Sequence, residues 1–477
     1  MGRRIGGAVP PGPAAGLPFQ VTMAEVHKSG RVAIAAYIAF LGCAALTGGS
    51  SQLGAASQPV IRLASIGLIA ILVAYPGVGD PRITRRGLGF LALVAAVVAI
   101  QLVPLPPGLW SMLPGRAHYL DAAAAAGQSQ PWRPINLTPD RGWNSLFALL
   151  PPVATLAAVS RLRAQHQVTI LAAMVLIILA SAMVGLGQVS GGGDDMLRFY
   201  AAPPTGSAVG LFANRNHQAL LLCCGIPMLA LWAEFGAGGL SNVRMRALLA
   251  AAAGAFLILM IPTTGSRAGL ALGGLALALA IPLAWPAGRH AIRSLSRRQR
   301  SILGLGGIVL LMLLIGAALT FARAEAVRRL FEADPVADAR IRLLPSLLRM
   351  IRDFFPFGSG FGSFDAVYRG YEPFENLAVT FMNQAHDDYL QVVMEAGLPG
   401  LILIVCFVAW WAVKSLQLWT RRGGEGTAFG RLGTVLLLLI MLASIADYPL
   451  RTPLMMIVAA QAAAWMLMAS RRRHDRA

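Results

Sequence analysis

The sequence predicts an all-α, polytopic integral membrane protein with about twelve membrane-spanning helices and one large loop between the ninth and the tenth. Three observations carry that expectation. Of its 477 residues, 56% are hydrophobic and only 13% charged, with a mean hydropathy of +0.64, whereas a soluble domain carries about 25% charged residues. Twelve apolar stretches approach the roughly 20 residues that a helix needs to cross a bilayer. Lysine and arginine gather in alternate connections between those stretches, the pattern of the positive-inside rule.

Taken in order, residues 1–30 open with MGRRIGGAVPPGPAAGLPFQ. This Gly- and Pro-rich run lacks a continuous apolar core, so it reads as a disordered cytoplasmic tail rather than a signal peptide. The expected spans are 31–48, 58–77, 87–107, 143–160, 166–188, 216–236, 245–263, 267–286, 302–322, 390–413, 428–447 and 451–470. Pro151 and Pro152 interrupt the fourth. It is kept because membrane helices tolerate proline when neighbours satisfy the freed backbone groups.

Dropping the fourth span would also reverse every later one. With both termini inside, the cytoplasmic connections hold Arg82, Arg85 and Arg86, then Arg161 and Arg163, then Arg244 and Arg246. Further clusters run from Arg289 to Arg300 and from Lys414 to Arg431, and the basic tail 471–477 follows. Topology therefore explains the net charge of +19, and no nucleic-acid partner is expected. Cys43, Cys223, Cys224 and Cys406 all lie in apolar runs without metal-type spacing and read as small core residues.

Three outer segments are long. Residues 108–142, with the adjoining Trp143, carry Trp110 and Trp132, residues suited to an interfacial belt. Residues 189–215 begin SGGGDD and end near FANRNH. Residues 323–385 form the largest, read as a lid between the helices of 31–322 and those of 386–470. Within it, 338–354 has the spacing of an amphipathic helix, with Ile341, Leu344, Leu348 and Ile351 on one face. Pro345 limits that helix or sits in its first turn.

Polar residues concentrate at outer helix ends. Arg215 precedes the sixth span and Arg267 follows Thr263, Thr264, Gly265 and Ser266 at the start of the eighth. Such arginines either snorkel to headgroups or hold an anion beside a helix N-terminus. The run FFPFGSGFGSF (354–364) lacks the strand and βαβ setting of a nucleotide loop. It reads as a turn that ends the amphipathic helix and brings backbone close to a ligand.

His386, Asp387 and Asp388 stand before the tenth span. Three consecutive residues do not share one helix face, so no metal site is expected. His386 either accepts a proton from a hydroxyl or hydrogen-bonds the helix start. Motifs of hydrolases, metalloproteases and ATP-driven pumps are absent, and acidic residues inside spans are nearly so, against a proton-coupled transporter.

FANRNHQALLL (212–222), GSRAGL (265–270), Arg340 followed by FPFGSGFGSF, and AHDDYLQVVMEAGLPGL (385–401) together resemble the O-antigen ligase/polymerase superfamily of bacterial membrane proteins. The resemblance covers about 205 to 405. It implies a GT-C-like glycosyltransferase of the inner membrane with its active site on the periplasmic face. Such an enzyme takes a glycan from a polyprenyl diphosphate and passes it to lipid A-core (ligase) or to another lipid-linked glycan (polymerase). The family implies metal-independent, inverting transfer without a cofactor. His386 sits on the family histidine and Arg267 on the GSR arginine. Arg340 matches the loop arginine, with Arg342 close enough to compete. Arg215 fits more loosely, and Ser266 joins the arginines in holding diphosphate or glycan. Asp387 replaces the usual Asn, which makes a carboxylate available to the imidazole. The competing classes are a solute transporter and a non-catalytic partner of a polysaccharide assembly complex.

Overall fold

The computed structural model describes residues 23–469 apart from 53–54, 76–78, 81, 191–196, 201–206, 236–239, 294–295, 297, 299–300, 302–334, 378–381 and 422–423. Residues 1–22 of the expected 1–30 tail, the ninth span, the first part of the lid and the basic tail 471–477 lie outside the described residues, while residues 23–30, expected as disordered tail, are helical.

The protein is a multi-pass helical membrane protein. Among the described residues, ten helices are long and apolar enough to cross a membrane, each on one of the twelve expected spans. The first are α1 (Met23–Thr47), α2 (Ser57–Ala74) and α3 (Gly89–Gln101), the last entered through a π-helical turn, Ile83–Leu88. Next come α4 (Pro107–Ser111), α5 (Ala117–Ala125), α6 (Pro139–Phe147), α7 (Leu150–Ser160) and α8 (Ala164–Ser190). Then follow α9 (Arg215–Glu234), α10 (Leu240–Thr263), α11 (Arg267–Arg293), α12 (Pro335–Phe354) and α13 (Phe364–Tyr368). The chain closes with α14 (Asp388–Thr420), α15 (Glu425–Ala443) and α16 (Pro453–Met468). The fourth span is α6 plus α7. Pro151 and Pro152 fall in the first turn of α7, where a missing N–H leaves no helical bond unmade.

Between its polar first turn and Glu234, α9 is apolar on every face and is the buried centre, as that pattern requires. Gly269 lets α11 approach Ala219 of α9 so closely that a Cβ there would overlap it. α16, 16 residues long, is shorter than its expected span. It too is a core helix, and its Trp465 donates to Gln167 of α8 at 2.8 Å. Cys223 and Cys224 are core residues, but Cys406 is exposed on α14, facing the lipid rather than the core.

Backbone bonds gather alternate helix ends. At one end Leu454 N donates to Gly48 O (3.0 Å), Ala213 N to Gly49 O (3.1 Å) and Asp388 N to Ser444 O (2.9 Å). At the other, Asp80 N meets Ser160 O (2.6 Å), and Arg431 donates to the carbonyls of Leu418 and Arg421. The arginine-rich connections thus lie opposite His386.

A cap covers the His386 end. It pairs residues 102–138 with 335–377 and has its own core of Leu343, Leu347, Met350, Phe354, Phe364, Val367 and Tyr368. It also holds a departure from the all-α expectation, a two-residue antiparallel ladder, Pro104–Leu105 with Arg133–Pro134. Arg116 is buried between Trp110 and Phe354, its guanidinium carbon 5.4 Å from each ring. Burial pushes its pKa down to about 10, and the nearby Tyr119 opposes that shift. Trp110 is therefore a cap core residue rather than part of a belt. Trp132 and Trp143 are exposed.

The glycine run fastens the cap to α14. Gly397, at φ 61°, kinks α14, which frees backbone groups that a straight helix would pair. The run supplies their partners: Leu398 N donates to Pro356 O (2.8 Å), Ser359 N to Met394 O (3.1 Å) and Gly360 N to Glu395 O (2.8 Å). Gln101 seals the joint, donating to Glu395 O at 2.9 Å and accepting from Phe361 N at 3.2 Å. A Cβ on Gly358 would strike Glu395 O and approach Gly397 N to 2.8 Å. The close backbone approach expected of this run is made to the protein's own kinked helix.

α12 also departs from expectation. Pro345 lies inside it. The apolar stripe read from the sequence is not the buried one: Leu344 and Leu348 are exposed, while Leu343, Leu347, Met350 and Phe354 face the core.

Candidate active site

The site is built where α14 begins. Asp387 is the N-cap of α14, its carboxylate accepting from Leu390 N at 2.9 Å, so its first duty is to the helix. His386, just before it, has φ 55°, a left-handed conformation costly for a residue with a Cβ. The strain is held from the next turn, where the Gln391 side chain accepts from Ala385 N at 2.8 Å. Burial raises the Asp387 pKa, and bonds from Leu390 and Tyr389 N–H partly oppose this.

That backbone turns the imidazole toward Asp447, in the short turn between α15 and α16. Nδ1 of His386 lies 3.3 Å from Asp447 Oδ1. The same carboxylate accepts from Tyr448 N (2.9 Å) and from Asn214 Nδ2 (3.2 and 3.4 Å), and from Asn216 Nδ2. His217 Nε2 stands 3.8 Å away. The Tyr448 ring packs edge to face on both imidazoles, at 4.8 Å from His386 and 5.2 Å from His217. Asp447 and His217 are buried, whereas the His386 side chain keeps 11% exposure. With Nδ1 directed at a carboxylate, that nitrogen carries the proton and Nε2 is the basic one, the arrangement that orients a catalytic histidine.

Beneath this pair sits a buried ion cluster. Arg451 donates to Asp388 Oδ1 at 3.3 Å and to Glu395 Oε2 at 3.2 Å, and Gln391 also donates to Glu395, at 2.9 Å. Burial alone would lower the Arg451 pKa, but Glu395 and Asp388 outweigh it and hold the pKa above the ordinary value. The cluster ties α14 to the α15–α16 turn, and so His386 to Asp447.

Arg215 reaches the same place from α9. Asn214 is the N-cap of α9, accepting from Asn216 N at 2.8 Å. Asn214 and Asn216, on either side of Arg215 in the chain, both bind Asp447. Nη1 of Arg215 lies 3.5 Å from where a Gly265 Cβ would be, over the turn that starts α11 at Arg267. The turn's hydroxyls serve their own backbone: Thr263 donates to Met260 O and Thr264 to Ile261 O, each at 2.7 Å. Ser266 accepts from Gly269 N at 3.0 Å. Ser266 is thus a buried helix cap, and the two arginines are the groups suited to an anion.

Arg342 is exposed on α12, whose buried face packs in the cap core rather than on the Asp447 cluster. The backbone of Arg340 belongs to the same helix, and its side chain lies outside the described residues. Among the described residues, no group of three His, Cys, Asp or Glu side chains is placed to hold a metal ion. The sequence reading missed Asp447, Tyr448, Asn214, Asn216, His217, Glu395 and Arg451. The signal for Asn214, Asn216, His217 and Glu395 was their place in FANRNHQALLL and AHDDYLQVVMEAGLPGL, and for Asp447, Tyr448 and Arg451 it was DYPLR (447–451), a charged turn between two apolar runs.

Residues 228–405 match the family model described as O-antigen ligase. No curated protein matches the chain. The matched stretch includes Arg267, Arg340, Arg342, His386 and Asp387, while Arg215 and Asp447 flank it. The chain is a multi-pass membrane protein that carries an O-antigen ligase family domain.

Proposed function

We propose that the protein is a GT-C-like glycosyltransferase of the bacterial inner membrane. It transfers a glycan from a polyprenyl diphosphate to an acceptor hydroxyl at the periplasmic face, with lipid A-core as the acceptor. The observation that carries this reading is the His386–Asp447 pair, 3.3 Å apart, beside the starts of two helices that bear Arg215 and Arg267. The Lys and Arg distribution supports a periplasmic position for this end.

The acceptor oxygen attacks the anomeric carbon from the side opposite the diphosphate, so configuration inverts. The carbon–oxygen bond to the diphosphate breaks, the acceptor proton passes to Nε2 of His386, and Asp447 stabilises the imidazolium. A positioned base of this kind contributes about 10²- to 10⁴-fold. Negative charge develops on the leaving diphosphate, and Arg215 and Arg267 neutralise it from fixed positions. They take the place that a metal ion holds in other transferases. Arg340 and Arg342, on the cap, meet the diphosphate or the glycan. Asp387 and Ser266 act by fixing the helix starts. The diphosphate linkage supplies the driving force, so the reaction needs no nucleotide.

A polymerase that extends a second lipid-linked glycan would use the same geometry. The test is transfer by the purified chain in nanodiscs, given polyprenyl-diphosphate oligosaccharide and a chelator, with and without lipid A-core. Product only with lipid A-core supports the ligase. Longer lipid-linked chains without it support the polymerase. Bound donor with no product contradicts both.

A further inference from the structure

Viewed down its axis, α12 carries three stripes rather than two. Leu343, Leu347, Met350 and Phe354 are buried in the cap. The adjacent stripe is Leu344 and Leu348, with Ile351 half-buried against the cap core, and it continues to Phe355 just past the helix end. Leu344, Leu348 and Phe355 are 44%, 50% and 40% exposed. Beyond it stand Arg342, Arg349 and Arg352, all exposed. Asp353 offsets Arg352 at 3.3 Å, which leaves the stripe basic.

The end of α12 is fixed in depth. Leu398 N donates to Pro356 O at 2.8 Å, so Phe355 and Phe357 stand at the head of α14's outward stripe of Leu398, Leu401, Ile402 and Val405. Those residues lie in a membrane-spanning helix and are exposed on the protein surface, which is the face that lipid covers. The uncovered apolar stripe of α12 is therefore continuous with a lipid-facing surface, and its far side is flanked by arginine. That is the distribution of a helix lying in a membrane interface. A protein partner would not require continuity with the lipid-facing stripe.

We infer that α12, with Phe355 and Phe357, rests in the membrane leaflet on the His386 side. Leu344, Leu348 and Phe355 lie among acyl chains, and Arg349 and Arg352 lie against anionic headgroups. The inference depends on the chain spanning a membrane and not on its transferase activity. It makes the cap an interfacial body, anchored by lipid on one side and by the Gly397 kink on the other.

Photo-crosslinking on the full chain in nanodiscs tests it. p-Benzoylphenylalanine replaces Leu348 or, as a lipid-facing reference, Val405, in phosphatidylcholine with and without phosphatidylglycerol. Lipid adducts from position 348 at a yield comparable to position 405 are expected. In the mixed lipid, Arg349→Gln and Arg352→Gln should each lower the phosphatidylglycerol share of those adducts by about fivefold. Protein–protein adducts, or no adduct, at 348 while 405 labels lipid would overturn the placement. An unchanged phosphatidylglycerol share would overturn the headgroup contact.

Discussion

Nδ1 of His386 lies 3.3 Å from Oδ1 of Asp447, although one residue precedes α14 and the other ends the turn out of α15. Neither helix alone sets that distance. It depends on the left-handed backbone at His386, on the Asp387 cap and on the Arg451 cluster below. Each of these supports can be removed separately.

Asp387 serves as a cap at some cost. Burial raises its pKa above the ordinary 3.8. An acid whose pKa is higher in the folded state stabilises that state most at low pH and loses the contribution as pH rises through the folded pKa. Asn caps equally well without ionising. The Asp387→Asn protein should therefore melt higher than wild type in neutral detergent solution, with the gap closing as pH falls to about 4. A gap that widened on acidification would contradict the assignment.

Arg451→Met leaves Asp388 and Glu395 buried without their cation. Breaking a buried pair from one side costs about 3–5 kcal/mol, which denaturant or thermal unfolding would register. Combining it with Asp388→Asn and Glu395→Gln should restore most of that stability, because no charge is then stranded. Failure of the triple variant to recover would mean that Arg451 packs rather than pairs.

At the kink, Gly397→Ala places a Cβ against Pro356 O in a conformation that L residues avoid. A loss of about 1–3 kcal/mol is expected for such overpacking. Limited proteolysis should cut the cap of this variant before the membrane helices. Equal resistance to wild type would show that the glycine run does not fasten the cap.

Most of the fold was legible because bilayer thickness is a ruler that a sequence cannot evade. Helices α1 to α3, α6 to α11, α14 and α15 follow from apolar length and from where arginines sit, whereas the short α4 and α5 lie almost wholly in the outer segment 108–142, where no apolar run announces them. The glycine run announced a close backbone approach but not its target, because the target, the kink at Gly397, is remote in sequence. Periodicity found an apolar stripe on α12, yet two such stripes adjoin, and only packing decides which one meets protein. His386, Arg215 and Arg267 stood out as polar groups at helix mouths. Asp447 did not, because an isolated acid at the end of an apolar run looks like an anchor until another helix brings a histidine to it. The carboxylate expected to serve the imidazole, Asp387, was the neighbour in sequence. The one that does is a neighbour in space.

Arg215→Lys and Arg267→Lys keep the charge and lose the planar fork that binds two phosphate oxygens. Each should lower transfer by about 10- to 100-fold, with thermal stability close to wild type, as expected of donors aimed at developing charge. Full activity in both would remove the diphosphate role from this end of α9 and α11.

The most direct test of the central claim is the rate of glycan transfer by reconstituted Asp447→Asn protein, measured beside wild type and His386→Ala at saturating donor. Asn fills the same space but cannot stabilise an imidazolium. The account predicts a loss of about 10²- to 10⁴-fold for Asp447→Asn and at least as large a loss for His386→Ala, with donor binding retained in both. Wild-type rates for Asp447→Asn alongside an inactive His386→Ala would contradict the pairing. Activity in both would place the chemistry elsewhere in the molecule.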